Sequence, residues 1–173
     1  MSILTLIKKD HDEAMRMIKR LEKMAEKPTA ATWKQVMTLV EEVLLHSKAE
    51  EKVLYGAMRR KSEDFRDFTL EGEIEHKLLE STLKRLLKVK PGKDGRFKAA
   101  LSVVKELLEH HGKEEEEKEY FPKIRKAYKA AELQSMGQQF KDLKEELRPS
   151  IQLNIRQPLI GAGMIRESRQ TLH

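Results

Sequence analysis

Apolar residues recur every three or four positions along five stretches of the chain. No stretch keeps the strict alternation of a half-buried strand, so the pattern predicts helices alone. The first stretch runs from Ser2 to Ala25, with Ile7, Ala14, Ile18 and Leu21 on one side, and stops at Lys27-Pro28. The second, Thr32 to Arg60, carries Val36, Leu39, Val40, Val43, Val53, Leu54 and Ala57, with Thr29 or Thr32 as its N-cap. The polar segment Lys61 to Phe68 reads as a connection to the third, Thr69 to Lys88, which carries Leu79, Leu83, Leu86 and Leu87. The clearest loop is Lys90-Pro91-Gly92-Lys93-Asp94-Gly95. The fourth helix starts near Arg96, carries Ala100, Val104, Leu107 and Leu108, and continues past Pro122 toward Ala131. A weaker segment, Leu133 to Leu147, extends it or folds back. Arg148-Pro149 is expected to close the helical part. Ser150 to His173 contains Pro158, Gly161 and Gly163 and reads as a flexible tail or a docking arm.

Four long helices with short connections predict an all-α, antiparallel up-down-up-down four-helix bundle over residues 1–131. Residues 132–173 are expected to form a C-terminal helical extension and tail. No strict long-period repeat is present, which excludes a solenoid.

Composition narrows the chemistry. The 173 residues are 37% charged and only 5% aromatic, a helical profile, and contain no cysteine. Disulfides, zinc ribbons and thiolate iron–sulfur sites are thereby excluded. The absence of cysteine fits a reducing cytosol, and a cytoplasmic location is expected. The apolar run at Met1 to Asp10 is too short for a signal peptide, and no stretch approaches the roughly 20 apolar residues of a membrane span. The net charge of +6 is spread among mixed signs. A solvated helix surface is therefore expected rather than a nucleic-acid face. The acidic run Glu114 to Glu117 and the isolation of Trp33, the only tryptophan, point the same way.

The six histidines carry the sharper signal. With residues placed about 100° apart around each helix, His11 falls with Leu4, Ile7 and Ile18, and His46 with Leu39, Val43, Val53 and Leu54. His76 falls with Leu79, Leu83 and Leu87, and His111 with Ala100, Val104 and Leu107, while His110 is turned toward the edge of that face. Each of four helices thus aims one imidazole inward. Glu50, Glu80 and Glu115 stand one turn beyond His46, His76 and His111, on the same faces. One core histidine ordinarily finds a hydrogen bond, and one such pair is common on charged helices. Four imidazoles and three converging carboxylates are a different matter, because buried carboxylates repel one another. A pair of cations neutralises the acids and fills the imidazole lone pairs. Mixed imidazole and carboxylate ligands suit iron, with manganese or zinc as weaker fits. A single zinc needs only about four ligands, so seven candidates call for two ions.

The residues that carry this pattern are Asp10-His11-Asp12, His46 with Glu50-Glu51 and Tyr55, Glu75-His76 with Glu80, and His110-His111 followed by Glu114 to Glu117, Phe121 and Pro122. In these the chain resembles the hemerythrin-like proteins of the HHE cation-binding type, over roughly Ile3 to Tyr128. The resemblance implies an oxo- or hydroxo-bridged di-iron site, with one bridging carboxylate from the second helix and one from the fourth. Glu50 matches the first bridge. For the second, ideal helix geometry selects Glu115, whereas the five-residue step that hemerythrins use after this histidine selects Glu116. That step needs a local bulge, and Pro122 favours distortion nearby.

Oxygen-carrying hemerythrins supply two histidines from the third helix, and here the second is Glu80. The extra anionic donor stabilises ferric iron, so oxidation chemistry or iron sensing is implied rather than reversible oxygen carriage. The expected metal ligands are therefore His11, His46, Glu50, His76, Glu80 and His111, with Glu115 or Glu116. The expected function is to bind or process a small ligand such as O2, peroxide or NO. The alternative is an iron- or oxygen-responsive regulatory protein that engages a partner through its C-terminal tail. Tyr55 and Phe121 are expected to pack the core end.

Overall fold

In the computed structural model the chain is described over residues 1–89 and 95–161, with backbone alone for 157–161. Helix α1 spans Ile3–Met24. Helix α2 begins as Ala30–Glu50, passes through a π-helical turn, Glu51–Tyr55, and ends in Gly56–Met58. Helix α3 spans Glu63–Leu86. Helix α4 runs as Arg96–Leu108, then the π-helical segment Glu109–Tyr120, then Phe121–Ala127. Helix α5 spans Ala130–Gly161. The first four pack as an antiparallel bundle, α5 lies along α1 and α2, and no strand occurs among the described residues.

Local signals set the helix ends. Ser2 caps α1 by accepting from the Thr5 N–H at 3.3 Å, and the Thr29 N–H donates to Thr32 Oγ1 at 2.9 Å at the start of α2. Helix α3 starts at Glu63, six residues before the expected Thr69. Ser62 Oγ accepts from the Phe65 N–H, and Glu63 and Asp64 place negative charge on the first turn, where the helix dipole favours it. Phe65 and Phe68, in the segment read as a polar connection, are buried. Gly95, at φ 75°, supplies the left-handed residue before α4. The other residues of the expected loop, 90–94, lie outside those described.

After Ala127 the chain breaks at Tyr128, whose backbone is extended, and α5 folds back. Arg148-Pro149 does not end this helix. Leu133, Phe140, Lys144, Ile151 and Ile155 form one buried stripe, and Arg148 bonds to Glu41 and Glu42 of α2 at 2.6 and 2.7 Å. Burial on both sides of Pro149 outweighs the hydrogen bond that the proline removes. Residues 150–161, read as the start of the tail, are therefore helical; the rest of the expected flexible tail, 162–173, lies outside the described residues. No helix among the described residues is long and apolar enough to cross a membrane.

The core divides into two apolar clusters. One gathers Ile18, Leu21, Val36, Leu39, Leu83 and Phe97. The other gathers Ile3, Ile7, Leu54, Phe68, Phe121 and Phe140. The inward histidines occupy the stretch of each helix between its contributions to the two.

Candidate metal centre

His11, His46, His76 and His111 are buried, each at most 6% exposed, and so are Glu50 at 0% and Glu116 at 1%. Each imidazole turns Nδ1 outward to a carboxylate. The Nδ1 distances are 3.0 Å from His11 to Glu117, 3.1 Å from His46 to Asp10, 2.9 Å from His76 to Glu51 and 2.6 Å from His111 to Glu75. An imidazole beside a carboxylate keeps a proton on that side, so all four Nε2 atoms point to the interior, where each can bind a proton or a cation.

Those four atoms meet one another and the two acids. His11 Nε2 lies 3.2 Å from His46 Nε2. Glu50 Oε2 lies 3.2 Å from His46 Nε2 and 3.9 Å from His76 Nε2. Glu116 reaches His11 through Oε2 at 3.4 Å and His111 through Oε1 at 3.7 Å. Both oxygens of Glu50, Oε2 of Glu116 and Nε2 of His76 are buried without a hydrogen-bond partner. Unpartnered buried polar atoms are costly and rare, so their concentration at one point marks a place shaped for something else. The donor atoms fall into two adjoining groups, His11–His46–Glu50–Glu116 and Glu50–His76–His111, in each of which they lie within 4.8 Å of one another. Glu50 belongs to both.

Charge and burial compete at these groups. Burial opposes protonation of every imidazole, and it prevails at His11 and His76, which fall below the ordinary histidine range. At His46 the carboxylates of Asp10 and Glu50 overcome burial and lift the imidazole to about 9. At His111 the charges of Glu116, Glu115 and Glu75 overcome it and lift the group well above its usual value. Glu116 is raised, by burial first and then by Glu50. Protons on His46 and His111 balance the charge of two buried carboxylates. They leave the Nε2 of His76 unfilled, which a cation would fill.

The π-helical segments aim these residues. In α4 the Phe121 N–H reaches back five residues to the Glu116 carbonyl. The wider turn brings Glu116 beneath His111 and leaves Glu115 outside, 3.2 Å from the exposed His110. Two glycines make room. A Cβ on Gly112 would stand 2.9 Å from His11 Nδ1, and one on Gly72 would stand 2.5 Å from the Tyr55 hydroxyl.

The structure thus brings together six of the expected ligands, His11, His46, Glu50, His76, His111 and Glu116. It does not bring in the other two. Glu80 is about one-third exposed and pairs with Lys84 at 2.7 Å and Lys48 at 3.9 Å. Glu115 lies with Glu75 and His110 in a separate, outer group. Tyr55 does more than pack the core end: its hydroxyl donates to Glu116 Oε1 at 2.9 Å, lies 3.3 Å from His111 Nε2, and its aromatic face stacks on His76. Phe121 packs in the apolar cluster below.

Four carboxylates, Asp10, Glu51, Glu75 and Glu117, entered the sequence reading only as members of the family pattern and were given no task at the site. Their signal was adjacency. Each is next in sequence to an inward residue, about 100° around the same helix, and so faces the neighbouring helix. Together they close a cycle: Asp10 of α1 holds His46 of α2, Glu51 of α2 holds His76 of α3, Glu75 of α3 holds His111 of α4, and Glu117 of α4 holds His11 of α1.

A cavity of about 260 Å³ opens beside this layer between α1 and α2. Ala14, Met17, Val43 and Leu108 form its apolar wall, and His11 and His46 line it.

Comparison with known families agrees with this geometry. The model of the hemerythrin HHE cation binding domain matches residues 2–124. The chain belongs to that family of helical cation-binding domains. Searches of curated proteins and of solved structures returned no match.

Proposed function

We propose that this chain is a non-haem di-iron protein that binds or processes a small ligand such as O2, peroxide or NO. The observation that carries the reading is the pair of adjoining donor groups sharing Glu50. His11 and His46 would serve one ion, His76 and His111 the other, and Glu50 and Glu116 would lie between. Four imidazoles and two carboxylates form a nitrogen and oxygen donor set suited to iron. Paired irons supply redox chemistry and coordination positions for small oxygen- or nitrogen-containing molecules.

The chain's own residues prepare that site. Asp10, Glu51, Glu75 and Glu117 orient the imidazoles and raise their basicity as ligands. Tyr55 keeps its proton at neutral pH, because burial and the charge of Glu116 push the phenol well above its usual value. It therefore remains a hydrogen-bond donor to Glu116 Oε1. The two apolar clusters exclude bulk water, and the α1–α2 cavity offers a small molecule a path toward His11 and His46.

The test is metal analysis of chain produced with iron, together with its absorption spectrum before and after addition of NO. About two irons per chain and near-ultraviolet bands that change with NO support the reading. A loaded chain with one ion, or bands indifferent to NO, peroxide and O2, counts against it. Phe140 and Lys144 of α5 lie against His46 and Asp10, which favours a second reading, in which cation loading is relayed to a protein partner through the C-terminal region.

A further inference from the structure

The family match ends at residue 124, yet two side chains of α5 reach the surroundings of a proposed ligand. Lys144, only 9% exposed, places Nζ 2.6 Å from Asp10 Oδ2 and 3.3 Å from Glu42. The same Asp10 oxygen faces His46 Nδ1 at 3.1 Å. Four residues earlier on the helix, Phe140 meets the His46 imidazole edge-on, with ring centres 5.8 Å apart and planes at 82°. His46 is thus gripped from α5 twice, once through charge and once through packing.

A buried lysine is expensive unless its charge is met. Here Asp10 and Glu42 meet it, and the cost of removing Asp10 would fall on Lys144 and His46 together. Farther along α5, Arg148 bonds to Glu41 and Glu42, and Gln152 bonds to Glu41 at 3.0 Å. Those contacts fasten the helix without touching a histidine. The two kinds of contact can therefore be separated by substitution.

We infer that Lys144 and Phe140 are positioning residues for the cation centre, acting on His46, so that docking of α5 and loading of the site strengthen each other. The inference rests on the cation-binding reading of the site. A cation on His46 Nε2 fixes the imidazole with Nδ1–H toward Asp10, and so holds in place the oxygen that Lys144 needs. By reciprocity, docked α5 raises cation affinity by the same factor by which loading favours docking.

The experiment uses the full chain loaded with iron, and in parallel with cobalt(II), whose visible bands report imidazole and carboxylate ligation. Lys144→Met should shift the metal bands and speed metal release to a chelator by about tenfold, the scale of an outer carboxylate contact. Arg148→Met should leave the bands in place, because Arg148 does not reach His46, and should speed release only as far as it undocks α5. In the unsubstituted chain, backbone amides over residues 140–155 should exchange more slowly when the site is loaded. Lys144→Met with unchanged bands and release, or α5 exchange indifferent to loading, overturns the inference. A chain that takes up cobalt but not iron overturns the di-iron reading alone.

Discussion

Glu75 stands 2.6 Å from Nδ1 of His111, although the two lie on different helices and 36 positions apart. Its other oxygen lies 3.7 Å from His110. Glu75→Gln keeps the size of the side chain but removes the charge that fixes the His111 tautomer. Metal affinity should fall by about 10- to 100-fold with helical content unchanged. Competition against a chelator of known affinity, followed alongside circular dichroism, checks this.

Glu50 and Glu80 separate the buried donor set from the surface. Glu50→Gln should reduce iron to one ion per chain or none, since Glu50 is common to both donor groups. Glu80→Gln should keep both ions, and so should Glu115→Gln. Iron content per chain separates the first of these three variants from the other two, and loss of iron in either of the last two would return that residue to the ligand set.

Gly112→Ala tests the closeness of α1 and α4. The added methyl would stand 2.9 Å from His11 Nδ1, where only movement of the imidazole or of the helix relieves it. The expected cost is about 1–3 kcal/mol in denaturant unfolding of the empty protein. Iron should be lost from the His11 side at the same time. An alanine variant with unchanged stability and full iron would show that α4 can shift freely.

Acid should oppose loading. In the cation-free chain His46 is held up to about 9, with burial opposed by Asp10 and Glu50, so near neutral pH its Nε2 carries a proton that a cation must displace. Apparent affinity should therefore rise as pH increases from 6 toward 9, and loading in weak buffer should release protons. The same group contributes to the stability of the empty fold in the opposite sense. That contribution is complete below the ordinary histidine value and is lost as pH rises through about 9. A pH-independent chelator competition over this range would contradict the assignment of His46.

The bundle was legible because its helices are long and one-sided, and the four inward histidines followed from the same periodicity. Two kinds of feature were not. Boundaries failed where tertiary burial overrode a local signal. Phe65 and Phe68 were hidden in a charged segment, and Pro149 looked like a terminus although Ile151 and Ile155 carry the stripe onward. Residues that act between helices failed too. Rotation about one axis tells which way Glu51 or Glu75 leaves its own helix, but not which neighbour stands there. The step from Glu115 to Glu116 is intermediate: it was visible as two alternatives, and the π-helical segment is what distinguishes them. Glu80 occupied the right face but has a long, flexible stem, and two lysines offer it water-side company.

The closed order of Asp10, Glu51, Glu75 and Glu117 constrains how such a protein can change over generations. Each helix is both a client and a supplier. A small rotation of any one would disconnect the imidazole it receives support for and the imidazole it supports next door. Drift in one helix is thus penalised at two seams, and a tolerated rearrangement would have to turn all four helices together.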